Sequence, residues 1–250
     1  EYSFARVDFV YTNFLNNAVH LLTLGVLRCP FAFVLYPGGG FGLDDSESDA
    51  KLRFVLASEM LRAVVVTTSV TEAYLRDRMR QWDCDTAIEI VRVDGVVVAS
   101  DSFLPEVGVR PYWCLDGSEW RDVLNICFAA NKYMPRLEHK GYQEFVFAAR
   151  AAARRYPFVR LHVVGGADAS DGDFEECESR VTFHGAFETS ALRDFFHHMD
   201  VIVSPSLVGK DHTGQFDGFP TGTCVEAALC GVAMVVTNPL SIEEPYSQAD

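Results

Sequence analysis

The sequence is short of positive charge, of long apolar runs and of paired cysteines, and each shortage closes off a class of protein. It carries 21 Lys and Arg against 35 Asp and Glu, a formal net charge of −14 over 250 residues. That balance argues against general nucleic-acid binding, which needs a basic footprint to displace phosphate counterions. An anionic ligand would need a local basic patch set against an unfavourable global field. The longest apolar stretches, such as Ala63 to Val66, are strand-sized, well short of the roughly 20 residues that span a bilayer. No basic-then-apolar leader opens the chain. The seven cysteines, at 29, 84, 114, 127, 177, 224 and 230, are odd in number, lack CxxC spacing and have no histidine at zinc-ligand intervals. They read as small reduced core residues of a cytoplasmic protein. The glycine cluster Pro37-Gly38-Gly39-Gly40-Phe41-Gly42 does not supply G-x-G-x-x-G, and the acidic run Asp44 to Asp49 behind it would repel a diphosphate.

What is present is an alternation of apolar strands and amphipathic helices, with 49% hydrophobic and 22% charged residues, typical of a globular chain. Arg6 to Tyr11 alternates like a strand, with Val7, Phe9 and Tyr11 on one face. Asn13 to Leu27 carries Phe14, Ala18, Leu21, Leu22 and Val26 at helical spacing, and Phe31 to Tyr36 is a continuous apolar strand. A helix from Lys51 to Leu61, a strand from Val64 to Thr67, a helix opened by the capping box Ser69-Val70-Thr71-Glu72, and a strand from Ile88 to Val93 follow. Residues 106–121 have neither period and hold Pro111 and Gly117, which marks a linker between an amino-terminal domain at 1–105 and a carboxy-terminal one at 122–250. The second domain reads as a strand from Val123 to Ala130, a helix showing Phe145, Ala148, Ala149 and Ala152, and strands from Val159 to Val164 and from Val181 to His184. A helix striped by Leu192, Phe195, Phe196 and Met199 comes next. The first strand starts almost at residue one and only polar sequence follows Asn238, so both domains are expected to be incomplete, the first at its amino end and the second at its carboxyl end.

The stretch from Val201 to Asn238 organises the rest. It reads as strand, long loop, short helix closed by Gly231, and strand, the signature of a crossover in a parallel sheet. Ligands of such sheets sit at the carboxyl ends of strands, where helix starts attract anions. The loop delivers Asp217 and Glu226 to such an end. Glu226 also has a structural reading, as the last member of a capping box Thr223-Cys224-Val225-Glu226. The local basic patch required by the global charge lies between Asn131 and Gly141, where Lys132, Arg136 and Lys140 follow a strand and precede a helix.

Asp217-Gly218-Phe219-Pro220 followed by Glu226-Ala227-Ala228-Leu229-Cys230-Gly231 resembles the E-G-F-P…E-A-x-x-x-G signature of family 4 retaining glycosyltransferases, with Asp in place of the first Glu and one extra residue between the acids. Lys140-Gly141, Gly165-Gly166, His184-Gly185 and Ser204-Pro205-Ser206 stand in that family's order, with Asn131-Lys132 where the family has Gly-Arg. The resemblance implies the GT-B fold, two Rossmann-like parallel-sheet α/β domains, and transfer of a sugar from a nucleotide-diphosphate-sugar donor to an acceptor hydroxyl with retention. It implies that Asp217 orients the donor sugar and Glu226 holds the ribose, both counted as catalytic, and that Lys132, Arg136 and Lys140 bind the diphosphate. Gly165, Gly166, His184 and Ser206 would line the nucleotide, and Gly38, Gly39, Gly40, Phe41, Gly218, Phe219 and Pro220 the donor and acceptor cleft. The family needs neither metal nor cofactor beyond the nucleotide-sugar; the acceptor class, glycan, lipid-linked or small molecule, stays open. A His-Asp pair common in the amino-terminal domain is missing, since Tyr36-Pro37-Gly38 stands there. That gap and the altered acidic spacing keep a second reading in play, a non-catalytic relative that binds a nucleotide or a protein. A metal-using enzyme would have to rest on Asp83-Cys84-Asp85 or Asp171-Gly172-Asp173, and neither sits at a strand end.

Overall fold

The computed structural model describes residues 7–84, 87–94, 100–104, 123–133, 135–207, 220–238 and 240, which divide into two units. In the first unit, strands Val10–Asn13 (β1), Phe31–Leu35 (β2), Leu61–Val66 (β3) and Glu89–Arg92 (β4) pair in parallel in simple succession, β1-β2-β3-β4. Helices Leu15–Thr23 (α1), Ser46–Leu56 (α2) and Ser69–Gln81 (α3) join them. Phe31, Phe33 and Leu35 of β2 and Val64 and Val66 of β3 bury one sheet face against Leu15 and Ala18 of α1, Leu52 and Val55 of α2 and Leu75 of α3.

Several local expectations shift here, each for a visible reason. The face carrying Val7, Phe9 and Tyr11 is more than half exposed, because β1 is an edge strand in register from Val10 onward and it is Val10 that joins the core. Helix α1 stops at Thr23 instead of running to Leu27. Gly25 takes a left-handed φ of 65°, and the N–H groups of Gly25 and Val26 turn back to the carbonyls of Leu22 and Leu21, a Schellman stop. Helix α2 begins five residues before the expected Lys51, since the Asp45 carboxylate accepts from Glu47 N and Ser48 N. The acidic run is thus a helix start, where negative charge complements the backbone dipole. The cap of α3 is Thr68, whose hydroxyl accepts from Thr71 N, and not Ser69; Glu72 is left to pair with Arg76 and Arg92.

The second unit begins with the short helix Ser100–Phe103 (α4). This segment was expected within the first domain, but Phe103 is buried among Phe196, Ile202 and Cys224 of the second, and Cys230 Sγ donates to its carbonyl at 3.2 Å. The linker expected at 106–121 lies outside the described residues. Strands Leu124–Ala130 (β5), Val159–Gly165 (β6), Val181–Gly185 (β7), Val201–Ser204 (β8) and Ala233–Val236 (β9) form a wholly parallel sheet in the order β7-β6-β5-β8-β9. Helix Tyr142–Arg155 (α5) covers the face bearing Ile126, Phe128, Leu161 and Val163. Helices Thr189–Phe196 (α6) and Gly222–Leu229 (α7), with α4, cover the face bearing Cys127, Val164 and Ile202. The α6 stripe packs as read from the sequence, with Phe195, Phe196 and Met199 buried and Leu192 against them. In α5 the buried residues are Tyr142, Phe145, Val146, Ala149 and Ala153, while Ala148 is exposed, because the helix starts with its Tyr142 ring inward and the buried stripe follows from that phase. Six cysteines, all but Cys114, lie among the described residues as free thiols, four of them buried.

This strand order fixes where a ligand belongs. The chain leaves β5 for β6 on one side and later enters β8 on the other, so the carboxyl ends of β5 and β8 flank the point where the winding reverses, the usual crevice of an open parallel sheet.

Candidate functional site

The loop from β5 to α5 is pinned across that crevice. A kinked 3-10 turn, Pro135–Lys140, is anchored by the fully buried Leu137, with Arg136 and Leu137 at φ of 53° and 48°. The carbonyl of His139 accepts from Leu207 N at 3.1 Å, tying the turn to the chain that leaves β8. Gly141 follows at φ 68°, and a Cβ there would lie 1.8 Å from the Pro205 carbonyl oxygen. Glycine is therefore required twice over, for its backbone conformation and for the contact. The result places Lys140 immediately before the first turn of α5, against the end of β8. No side chain caps α5, so its leading N–H groups and the positive end of its dipole are available to an anion. Arg136 is exposed on the same turn, and no hydrogen bond or ion pair joins it to another described residue.

Lys132, expected at the diphosphate, makes an ion pair at the end of β5. Its ammonium lies 2.7 Å from each carboxylate oxygen of Asp171, which is 6% exposed. Two expected nucleotide glycines have a protein-internal reason for being glycine. A Cβ on Gly165 would meet the Ala130 carbonyl at 1.9 Å, and one on Gly166 would meet Lys132 Cβ at 2.7 Å. These two residues hold the carboxyl end of β6 tightly against that of β5.

His184 is engaged on the α6 face of the sheet. Its Nε2 lies 3.0 Å from His162 Nδ1, and His162 Nε2 lies 3.2 Å from Asn125 Oδ1, a ladder crossing β7, β6 and β5. The imidazoles stack with centroids 5.3 Å apart and Phe195 edges onto both. Burial, with His184 alongside, lowers the His162 pKa to about 4, and burial lowers that of His184 as well. Asn125 completes the ladder by donating to the His198 carbonyl, while its own N–H donates to Asp200.

Glu226 is freed from the structural role the sequence offered it. The N-cap of α7 is Thr221, directly after the buried Pro220, and Thr221 makes no side-chain cap bond. Thr223 sits inside the helix, so the expected capping box does not form. Glu226 is half-buried one turn into α7, and that burial alone raises its pKa. Among the described residues its carboxylate has no hydrogen-bond or ion partner. Ser206 is buried after β8, its carbonyl accepting from Thr237 Oγ1 at 2.7 Å. Asp217, Gly218 and Phe219 lie outside the described residues.

In the first unit the glycine loop is a braced turn. Gly38 and Phe41 exchange backbone hydrogen bonds, Gly39 and Gly40 press on the side chains of Phe14 and Asn16, and Asp44 N donates to the Tyr74 hydroxyl. Phe41, expected to line a cleft, is 2% exposed and packs edge-on against Tyr74. Its ring is a core element because the turn folds it back under the loop.

Sequence reasoning missed the pairing of Asp171, which it weighed only for a metal, and Tyr142, whose hydroxyl is buried without a hydrogen-bond partner among the described residues. Burial and the nearby Asp171 and Asp168 push the Tyr142 pKa upward. No local signal marked either, since their neighbours come from other strand ends. Of the aspartates proposed for a metal, Asp171 holds Lys132 and Asp173 accepts from Glu175 N. No helix among the described residues is long and apolar enough to cross a membrane.

Two parallel-sheet units, the second wound 3-2-1-4-5 with a cation before one helix and a carboxylate within another at its switch point, define the class of the GT-B glycosyltransferase fold. Residues 125–246 match the family described as glycosyl transferases group 1. No curated protein matches the chain in sequence. Among solved structures, the sucrose-phosphate synthase of Thermosynechococcus elongatus superposes with a TM-score of 0.56 at 17% identity, covering 93% of this chain and 56% of that one. The pneumococcal O-GlcNAc transferase GtfA, solved with UDP and GlcNAc, gives 0.57 at 14% identity over 88% of this chain and 40% of its own. A UDP-forming α,α-trehalose-phosphate synthase from Burkholderia xenovorans gives 0.57 at 12%, covering 92% and 58%. At these identities the likeness is one of fold, and the chain spans about half the length of these proteins.

Proposed function

We propose that the chain transfers a sugar from a nucleotide-diphosphate-sugar to an acceptor hydroxyl, with retention, and that its second unit holds the nucleotide. In this reading Lys140, with Arg136 beside it, meets the diphosphate at the open start of α5. A cation and a helix dipole aimed at the leaving group stabilise the negative charge that grows on it as the glycosidic bond breaks. Glu226 accepts hydrogen bonds from the ribose hydroxyls. A half-buried carboxylate without a donor among the described residues gains most from such a partner, which offsets its desolvation. Asp217 would orient the donor sugar.

The observation that carries the reading is that α5 and α7, the helices starting at the carboxyl edge beside the switch point, both lack side-chain caps, one preceded by Lys140 and the other carrying Glu226. Some neighbours are UDP-forming or were solved with UDP, so UDP-sugars are the first donors to try. The test is donor turnover, followed as release of nucleoside diphosphate across a panel of nucleotide-sugars and acceptors. Turnover abolished by Lys140→Gln and by Glu226→Gln supports the reading. Nucleotide binding without turnover of any donor would point instead to a non-catalytic relative.

A further inference from the structure

The carboxyl end of α5, at the amino edge of the second sheet, carries a cluster that the candidate site does not use. The rings of Tyr156 and Phe158, 40% and 43% exposed, lie with centroids 5.5 Å apart, and the Arg155 guanidinium sits over the Tyr156 ring. Arg180, from the turn before β7, donates to the Tyr156 carbonyl at 3.2 Å, and Arg160 of β6 donates to the Pro157 carbonyl at 3.1 Å. Three guanidinium groups and two rings are thus gathered around Tyr156-Pro157-Phe158. Along the outer face of α5, Ala151 and Phe147 continue the line from Arg155 at four-residue spacing, and Phe147 is 76% exposed.

Among the described residues none of these three arginines has a carboxylate partner. Glu175 and Glu176 on the neighbouring turn are engaged by Arg150 and Arg154. Arg155 complements the helix dipole, a role that needs neither exposed rings nor two further arginines. In a chain of formal net charge −14, a basic and aromatic patch of this kind fits an anionic surface. A soluble polyanion would use the arginines and leave Phe147 in water, about 12 Å up the helix from Arg155. A lipid surface uses both: guanidinium groups meet headgroup phosphates, phenylalanine rings enter the acyl boundary, and the tyrosine hydroxyl stays among the headgroups. The outer face turns acidic at Glu144, near the start of α5, so contact is confined to the half from Phe147 onward.

We propose that this face is a docking surface for an anionic membrane, with Arg155, Arg160 and Arg180 toward the lipid phosphates and Phe147 and Phe158 in the interfacial layer. It is peripheral binding, by one side of α5 and the segment after it, and leaves the buried side of the helix on the sheet.

The experiment is co-sedimentation of the chain with vesicles of phosphatidylcholine alone and of phosphatidylcholine mixed equally with phosphatidylglycerol, at low and at high salt. The chain is expected to sediment with the mixed vesicles, weakly with the neutral ones, and less as salt rises. Arg155→Gln and Phe147→Ser should each weaken binding to mixed vesicles about five-fold, the scale of one arginine at an anionic surface or one partly inserted ring. Both side chains are exposed, so thermal melts of these variants should match the parent. Arg193→Gln removes the same charge from α6, on the other side of the sheet, and should stay within about two-fold of the parent. Failure of the parent to sediment with mixed vesicles overturns the proposal. So does an Arg193→Gln loss equal to that of Arg155→Gln, which marks general electrostatics, or full binding by Phe147→Ser, which keeps the ring out of the lipid. Polyuridylate binding that matches vesicle binding and is lost in Arg155→Gln would assign the patch to nucleic acid instead. Vesicle binding is measured without a donor, so this proposal and the sugar-transfer reading can each fail alone.

Discussion

The two units are both built on wholly parallel sheets, yet they differ in winding and in how their helices begin. The first unit's described strands run in simple succession, with no reversal of order, and α2 and α3 satisfy their own starts through Asp45 and Thr68. The second reverses between β5 and β8, and α5 and α7 start without side-chain caps. A capped start has its donors occupied, and an open start at a switch point is an anion site in waiting. On the proposed reading, ligand capacity follows from helix starts without side-chain caps at a particular edge, and not from glycine content, since the glycine-rich loop is in the first unit.

Core truncation should separate the units most strongly. Phe33→Ala in the first and Phe128→Ala in the second each remove a fully buried ring and should each cost about 3–5 kcal/mol in denaturant unfolding. Only Phe128→Ala should also weaken UDP, because its ring lies 5.1 Å from that of Tyr142 at the start of α5. Equal loss of UDP binding by Phe33→Ala would erase the distinction. Gly141→Ala comes next. The clash with the Pro205 carbonyl and the left-handed backbone together should cost about 2–3 kcal/mol and displace Lys140, read as a lowered melting temperature with weakened UDP binding.

Acid should act on the second unit through its histidine ladder. His162 has its folded value lowered to about 4 from an ordinary 6.5, so as pH falls below 6.5 the unfolded chain takes the proton first. Stability is complete above that value, declines as pH drops toward about 4 and changes no further below it on this account. His184, also lowered by burial, adds in the same direction. With solvent screening discounted the loss is on the order of 1–2 kcal/mol, and His162→Gln should flatten the profile of melting temperature against pH. Smallest are the caps. Asp45→Ala and Thr68→Ala should each cost about 1 kcal/mol without touching nucleotide binding, while Thr221→Ala, which removes no cap bond, should be nearly neutral in the same melts.

Much of this architecture was legible in the residues. The crossover from β8 through α7 to β9 could be read from two apolar runs flanking a helix closed by Gly231, and the α6 stripe from its spacing. Helix starts were read less well: Ser46 instead of Lys51, and caps at Thr68 and Thr221 instead of Ser69 and Thr223. Adjacent hydroxyl residues offer equivalent caps on paper, and only the entry angle of the chain chooses between them. The packing around the candidate site was legible where it is local, as in Lys140-Gly141, whose glycine is explained by the end of β8. It was illegible where strand register makes it, as in the Lys132–Asp171 pair and the Asn125–His162–His184 ladder, whose members meet only once the sheet is assembled.

The central claim is that one nucleotide spans the open start of α5 and the carboxylate of α7 on the second unit. A crystal structure of the chain with UDP tests it most directly. The account predicts diphosphate oxygens about 2.7–2.9 Å from Lys140 Nζ, close to the first N–H groups of α5, with ribose hydroxyls on Glu226. A diphosphate seated away from α5, or a ribose that leaves Glu226 facing water, would contradict it.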